Sequence, residues 1–298
     1  VFSDAPAPQW RLGVRVAGRP LPEMSRGGLD DFRSLAPRPG RSYADPFLIE
    51  HRGTPWLFFE DIDQVSQRGH ISAAPVLPTG DLGEVVPAMI RTHHLSYPNI
   101  FRDGGELFMI PETHETGTVE MYRCLEFPSR WTLEKVLLRE PAVDTGLWVA
   151  EGRYWFFVTL VEPRARASQL WLFSATSLTA TWVRHPASPI STDIRNSRGA
   201  GALFRLGPTL FRPSQDCSVR YGRSLTFNQI VTLTPDDYVE RPRTTFEAPK
   251  GCVGAHTYTR SGAFEFIDVN APPAGPITAD RGRRREDAQI KMMLISGS

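Results

Sequence analysis

Three stretches of this 298-residue chain repeat one pattern without a gap. With Asp45 of "YADPFLIEHRGTPWLFFED" as position 0, Gly53 stands at +8, Trp56 at +11 and Glu60 at +15. From Tyr97 the same offsets give Gly105, Phe108 and Glu112; from Asp144 they give Gly152, Trp155 and Thr159. Pro46 and Pro98 coincide at +1. Each copy reads as an apolar strand, a glycine turn and an aromatic strand, the pattern of a β-hairpin. A looser fourth copy, "GAGALFRLGPTLFRPSQD", spans Gly199–Asp216, and a fifth, "GAHTYTRSGAFEFIDV", spans Gly254–Val269. The copies start at Asp45, Tyr97, Asp144, about Ala200 and His256.

A period on the order of 40–50 residues with all-β content is the signature of propeller blades. The intervals have room for outer strands: "GHISAAPV", "GTVEMYRC" and "SQLWLFSA" follow their hairpins as third strands, and "WTLEKVLL" and "TWVRHP" fit fourth, edge strands. The pattern predicts an all-β fold, a five-bladed β-propeller of four-stranded antiparallel blades over residues 41–272. Residues 1–40 are expected to pack on the ring or close it. Residues 273–298, with "RGRRREDAQ", read as a solvated tail that carries a closing strand and a disordered end.

Composition excludes several classes. The net charge is +1, which is no electrostatic footprint for nucleic acid. No apolar run approaches the roughly 20 residues of a membrane span. "VFSDAPAPQW" lacks the basic and apolar regions of a signal peptide. Cys124, Cys217 and Cys252 share no metal-ligand spacing, and their odd number argues against a disulfide framework. The expectation is a soluble, cytoplasmic protein.

In a propeller the first strand of each blade lines the central channel, so position 0 of every copy converges on one mouth. The second strand runs back and returns +15 to the same mouth. This places Asp45, Tyr97, Asp144 and His256 in one funnel with Glu60, Glu112 and Gln215 or Asp216. His94 and Asn99 flank the second copy as candidate sugar contacts, and Arg198, Arg220 and Arg223 near the fourth are expected to pair with the funnel acids. Crowded carboxylates raise one another's pKa, which suits a general acid beside a general base. Two other readings stay open: the oxygens hold a divalent cation, or the acids cap strand ends and tie blades together. No nucleophile elbow, P-loop or dinucleotide fingerprint is present, and Cys217 reads as a small buried residue.

The segments "ADPFLIE…WLFFE", "HHLSYPNIFRDGGELFMIPET", "YRCLEFPSRWTLEKVLL", "VDTGLW" and "LFRPSQDCSVRYGRSL" resemble the N-terminal propeller of glucosamine inositolphosphorylceramide transferases over roughly residues 40–270. A similar module looks common in bacterial proteins, sometimes next to a formyltransferase-like domain. More distantly the chain resembles family-43 glycoside hydrolases. That resemblance implies a base at Asp45 and a general acid at Asp144, which stands where glutamate is usual. The second-blade acid is replaced by Tyr97, with the uncharged Asn99 nearby.

Three functions follow as expectations. The first is a glycoside hydrolase-like enzyme acting on a glycan or glycoconjugate through Asp45 with Asp144 or Glu112. The second is a glycan-binding module that partners a glycosyltransferase or formyltransferase-like domain. The third is an enzyme of another reaction class, with His256 as base and a divalent cation in the funnel as cofactor.

Overall fold

The computed structural model describes residues 9–16, 18–24, 28–162 and 167–272; the tail at 273–298 lies outside the described residues. Two strands open the chain, β1 (Gln9–Val16) and β2 (Arg33–Leu35). Blade I follows as β3 (Arg41–His51), β4 (Thr54–Asp63), β5 (Gly69–Pro75) and β6 (Val86–Met89). Blade II is β7 (Ser96–Asp103), β8 (Glu106–Glu112), β9 (Val119–Glu126) and β10 (Arg130–Leu138). Blade III is β11 (Ala142–Ala150), β12 (Arg153–Glu162), β13 (Ala167–Ala175) and β14 (Val183–Arg184). In blade IV the first strand is split into β15 (Arg198–Gly199) and β16 (Phe204–Leu206). Both pieces pair with β17 (Thr209–Asp216), which is followed by β18 (Ser224–Leu233) and β19 (Tyr238–Glu247). Blade V joins the chain ends, with β20 (Tyr258–Ser261) and β21 (Phe264–Ala271) continued by β1 and β2. All strand pairs are antiparallel, and the fold is a five-bladed β-propeller.

The near-continuous apolar runs of the second strands have a direct cause. Successive side chains of a strand point to opposite faces, and each blade is covered on both faces by a neighbour. In β4, Leu57 and Phe59 enter the apolar layer shared with blade V, while Phe58 enters the layer shared with blade II. In β12, Trp155 and Phe157 face blade IV, and Phe156 and Val158 face blade II. Five such layers, one per blade interface, close the ring. Each fully buried large side chain contributes roughly 1.5–3 kcal/mol. Trp56 and Trp155, which share a repeat position, both pack in these layers.

Position 0 carries a local device that positions the mouth. Asp45, Tyr97 and Asp144 all have positive φ, at 50°, 46° and 47°. The ladder slips at the same place in each blade: between Ala44 and Phe47, Ser96 and Asn99, and Val143 and Gly146. A bulge at the start of the inner strands of blades I to III therefore frees the backbone N–H of position 0 from its sheet. A non-glycine residue in this region costs on the order of 1–3 kcal/mol and persists only where its surroundings hold it. Among the described residues no helix is long and apolar enough to cross a membrane.

Candidate active site

The freed amides are taken up by carboxylates of the preceding blade. Asp45 N–H donates to Asp268 Oδ2 at 2.9 Å, Tyr97 N–H to Asp45 Oδ2 at 3.2 Å, and Asp144 N–H to Glu112 Oε2 at 3.2 Å. The mouth thus has a chain of acid-to-amide bonds running from blade V through blade III. One function of these acids is architectural, as the capping reading expects.

What remains of each carboxylate differs. Asp45, 5% exposed, also accepts the Thr257 hydroxyl on Oδ1 at 2.7 Å. Burial, with Glu60, Asp268 and Asp144 as like-charged neighbours, pushes it up to about 7 against the pull of His256. Glu112 offers Oε1 without a partner among the described residues. Burial and the nearby Asp144 and Asp45 push it up to about 8, with Arg198 opposing. Asp144 is ion-paired through Oδ2 to Arg198 Nε, and Gln215 Nε2 reaches the same oxygen at 3.4 Å. The approach of blade IV to Asp144 requires Gly199: a Cβ there would lie 2.5 Å from the Asp144 carbonyl oxygen.

His256 is held on three sides. Its Nδ1 lies 2.6 Å from Asp268 Oδ2 and 3.9 Å from Asp45 Oδ1. Its ring stacks on Trp10 with centroids 3.9 Å apart, and Tyr221 meets it edge-on at 5.2 Å. Burial opposes the imidazolium, yet Asp268, then Asp45 and Asp144, push His256 up to about 9. Counted back from the turn, position 0 of blade V is Ala255 and not His256. The residue pairs closing the turns are His51 with Thr54 and Ser261 with Phe264, and they fix the frame. His256 takes the +1 place of Pro46 and Pro98, and it still reaches the mouth.

The other expected residues are placed as follows. Glu60 accepts from His94 Nε2 at 2.8 Å, and Gly69 N lies 3.0 Å from His94 Nδ1; burial opposes the charged ring, yet Glu60, then Glu112 and Glu115, push His94 up to about 9. Tyr97 is 1% exposed, and its hydroxyl crosses to blade IV, accepting Gly201 N–H at 2.6 Å and donating to Gly201 O at 3.2 Å. Asn99 Nδ2 donates to Thr145 O in blade III at 3.0 Å. Gln215 lies opposite Arg198 in the ladder, the place that Glu60 takes opposite Ala44, and its Nε2 donates to Gly199 O at 2.7 Å. Asp216 faces Arg223 at 3.6 Å. Arg220 Nε donates to Val253 O rather than to an acid.

The repeat did not single out Asp268, Thr257, Trp10 or Tyr221. Asp268 had a signal: in the turn-based frame it occupies the place of Phe58, Ile110 and Phe157, an acid where three blades bury an apolar side chain. Trp10 had none, because it precedes every repeat.

Asp45, His256 and Asp268 also form a candidate cation cluster, with ligand atoms within 4.8 Å of one another. The donor set fits a cation poorly. Asp268 Oδ1 already accepts two amides, from His256 and Thr257, and Oδ2 accepts Asp45 N–H and faces the His256 ring nitrogen. A metal would have to break that network.

Comparison with known proteins agrees with this architecture. The fold is similar to a family 117 glycoside hydrolase, Zg3597 of Zobellia galactanivorans (TM-score 0.55, 10% identity, 98% of each chain covered). It is also similar to the catalytic domain of the Coprinopsis cinerea GH62 α-L-arabinofuranosidase (TM-score 0.54, 10% identity, 91% of this chain and 93% of that one). At such identities the likeness is one of fold. In sequence the chain is 34% identical to glucosamine inositolphosphorylceramide transferase 1 of Arabidopsis thaliana over 207 residues and to that of Oryza sativa subsp. japonica over 209. These alignments cover 68% of this chain but only 27% and 28% of the plant proteins. The family model described as glucosamine inositolphosphorylceramide transferase 1, N-terminal, matches residues 33–269, and the chain belongs to that family.

Proposed function

We propose that the funnel is a carbohydrate site and that it catalyses hydrolysis of a glycosidic bond. One observation carries the reading: at one mouth, the carboxyl groups of Glu112 and Asp45 are pushed up to about 8 and about 7 while a third acid, Asp144, is locked to arginine. Environments that separate the behaviour of neighbouring carboxyls assign acid and base roles. Glu112, protonated at neutral pH and free at Oε1, gives its proton to the leaving oxygen as the glycosidic C–O bond breaks. Asp45 takes a proton from a water whose oxygen forms the new bond to the anomeric carbon. Solvent then returns a proton to Glu112 and removes one from Asp45. His256, charged beside Asp45, favours the carboxylate form that the base needs. Two fold neighbours, the family 117 glycoside hydrolase and the α-L-arabinofuranosidase, support the choice of substrate class.

The acid-to-amide chain favours a second reading, in which the funnel recognises a glycan for a glycan-modifying partner domain. A screen of nitrophenyl glycosides and a glycan array separates the two, using wild type, Asp45→Asn and Glu112→Gln. The hydrolase reading expects turnover in wild type and a loss of at least 100-fold in each variant, in the range of general acid–base contributions. Glycan capture without turnover by any of the three proteins would leave recognition as the function.

A further inference from the structure

The loop 217–223 joins β17 to β18 at the funnel mouth, and Tyr221 stands in it. Its ring meets two cations of the mouth: Arg198 lies over it, 4.7 Å from the centroid, and the His256 ring meets it edge-on at 5.2 Å. The loop is fastened in place by backbone groups. Asp216 accepts Ser218 N–H on Oδ1 at 2.8 Å and Arg223 N–H on its carbonyl at 3.1 Å. Gly222 O accepts Ala255 N–H from blade V at 2.8 Å. Only glycine allows that approach, since Gly222 has a φ of 60° and a Cβ there would lie 2.8 Å from the Cβ of His256.

The Tyr221 hydroxyl differs from every other phenol of the chain. The hydroxyls of Tyr43, Tyr97, Tyr122, Tyr154, Tyr238 and Tyr258 each have a hydrogen-bond partner in the protein. This is the ordinary state of a tyrosine whose ring is packed. Tyr221, the seventh, has none among the described residues. Its hydroxyl is also not among the buried polar atoms that lack a partner; the residue is half-buried, and the group stays open to solvent. Burial in the mouth raises its pKa and keeps the hydroxyl protonated, and the charges that act on it next are those of the funnel, Arg198, Asp144 and Asp45. The ring is thus built into the mouth while its polar end is left unused.

We propose that Tyr221 is a ligand-contacting, specificity-determining residue of the funnel, its hydroxyl hydrogen-bonded to a hydroxyl of the bound sugar. The proposal rests on the reading of the funnel as a carbohydrate site, and it holds whether that site hydrolyses a glycan or only recognises one. A phenol both donates and accepts, so it matches a sugar hydroxyl, which does the same. A ring already fixed against Arg198 and His256 gives up little freedom when the sugar binds. A group placed to bond a hydroxyl also discriminates against the analogue that lacks it.

Tyr221→Phe is the test, because the ring and its contacts remain and only the hydroxyl goes. The probes are the nitrophenyl glycosides and array glycans of the funnel screen. Those that wild type turns over or captures should be taken about threefold to tenfold more weakly by the variant, the range of one neutral hydrogen bond. The loss should appear as a rise in KM or Kd with kcat little changed. The urea midpoint should stay at the wild-type value, since no bond within the protein is lost. Tyr154→Phe, which loses the bond to Asp103 Oδ1 at 2.6 Å, should do the reverse, lowering the midpoint and leaving KM or Kd unaltered. Among monodeoxy forms of a captured sugar, the one lacking the contacted hydroxyl should bind wild type and Tyr221→Phe equally. Equal KM or Kd of wild type and Tyr221→Phe for every probe overturns this proposal and leaves the funnel reading standing. A weakening shared by all the monodeoxy forms also overturns it, because the loss is then one of packing. A wild-type protein that neither turns over nor captures any probe overturns both readings together.

Discussion

The two sides of the funnel mouth solve the same electrostatic problem with different cations. On one side, Asp45 and Asp268 share His256; on the other, Asp144, with Glu112 beside it, is compensated by Arg198. Arginine is always charged, so its side is fixed at every working pH. Histidine is charged only conditionally, so its side responds to pH. The lesson is that a crowd of acids becomes chemically differentiated through the type of cation each one meets, not through its own residue type.

The comparison breaks most visibly if arginine is removed. Arg198→Ala would leave Asp144, 4% exposed, buried without its cation. Loss of one partner of a buried pair costs roughly 3–5 kcal/mol, read as a fall in the urea midpoint. Adding Asp144→Asn should recover part of that loss. A single-variant loss below about 1 kcal/mol would show that the pair contributes only as an exposed ion pair does.

A smaller effect is expected from Asp268→Asn, which keeps an oxygen for the amides of His256 and Thr257 but sets an NH2 where Oδ2 accepted the Asp45 amide and removes the charge facing His256. The His256 titration, followed by NMR, should move down from about 9. A titration that does not move would assign the upward push to Asp45 and Asp144 instead.

Four groups bind protons more tightly folded than unfolded in the range between pH 5 and 9. His256 and His94, both raised to about 9, contribute stability that is fully present below pH 6.5 and is lost as pH rises through about 9. Asp45 and Glu112 are also raised, to about 7 and about 8, so the cost of ionising them in place appears as pH climbs from about 4 to 8. All four act in one direction, and urea midpoints should fall between pH 5 and 9. Asp45→Asn/Glu112→Gln should flatten the lower part of that fall and leave the part due to the two histidines. Stability that rises across this range would contradict the burial assigned to these groups.

The smallest change sharpens the architectural half of the comparison. Asn99→Ala removes the bond to Thr145 O between blades II and III, worth about 1 kcal/mol. It should leave glycoside turnover unaltered. A loss of turnover with folding intact would place Asn99 among the substrate contacts expected from its sequence position.

The regular half of the ring was legible in the chain. Blades I to III share a gapless register because each hairpin is local: turn chemistry, alternation and burial on both faces act within about 50 residues. Blade IV was legible only loosely, since its first strand is split around residues 200–203. In blade V the glycine does not fix the frame: Gly262 stands at the first turn position, where Arg52 stands in blade I, so a count of eight back from it ends on Gly254, one residue before Ala255.

The repeat by itself determined the blades, their number and the positions of Asp45, Glu112 and Asp144, since these depend on short-range periodicity, but it did not single out Asp268. Tertiary structure decided which cation each acid received. Arg198 reaches Asp144 across 54 residues, Thr257 reaches Asp45 across 212, and Asp268 meets the Asp45 amide across 223. Trp10 arrives on His256 only because β1 pairs with β21 to close the ring. Such contacts join groups remote in sequence and form only when the ring has closed, so no local spacing in the chain records them.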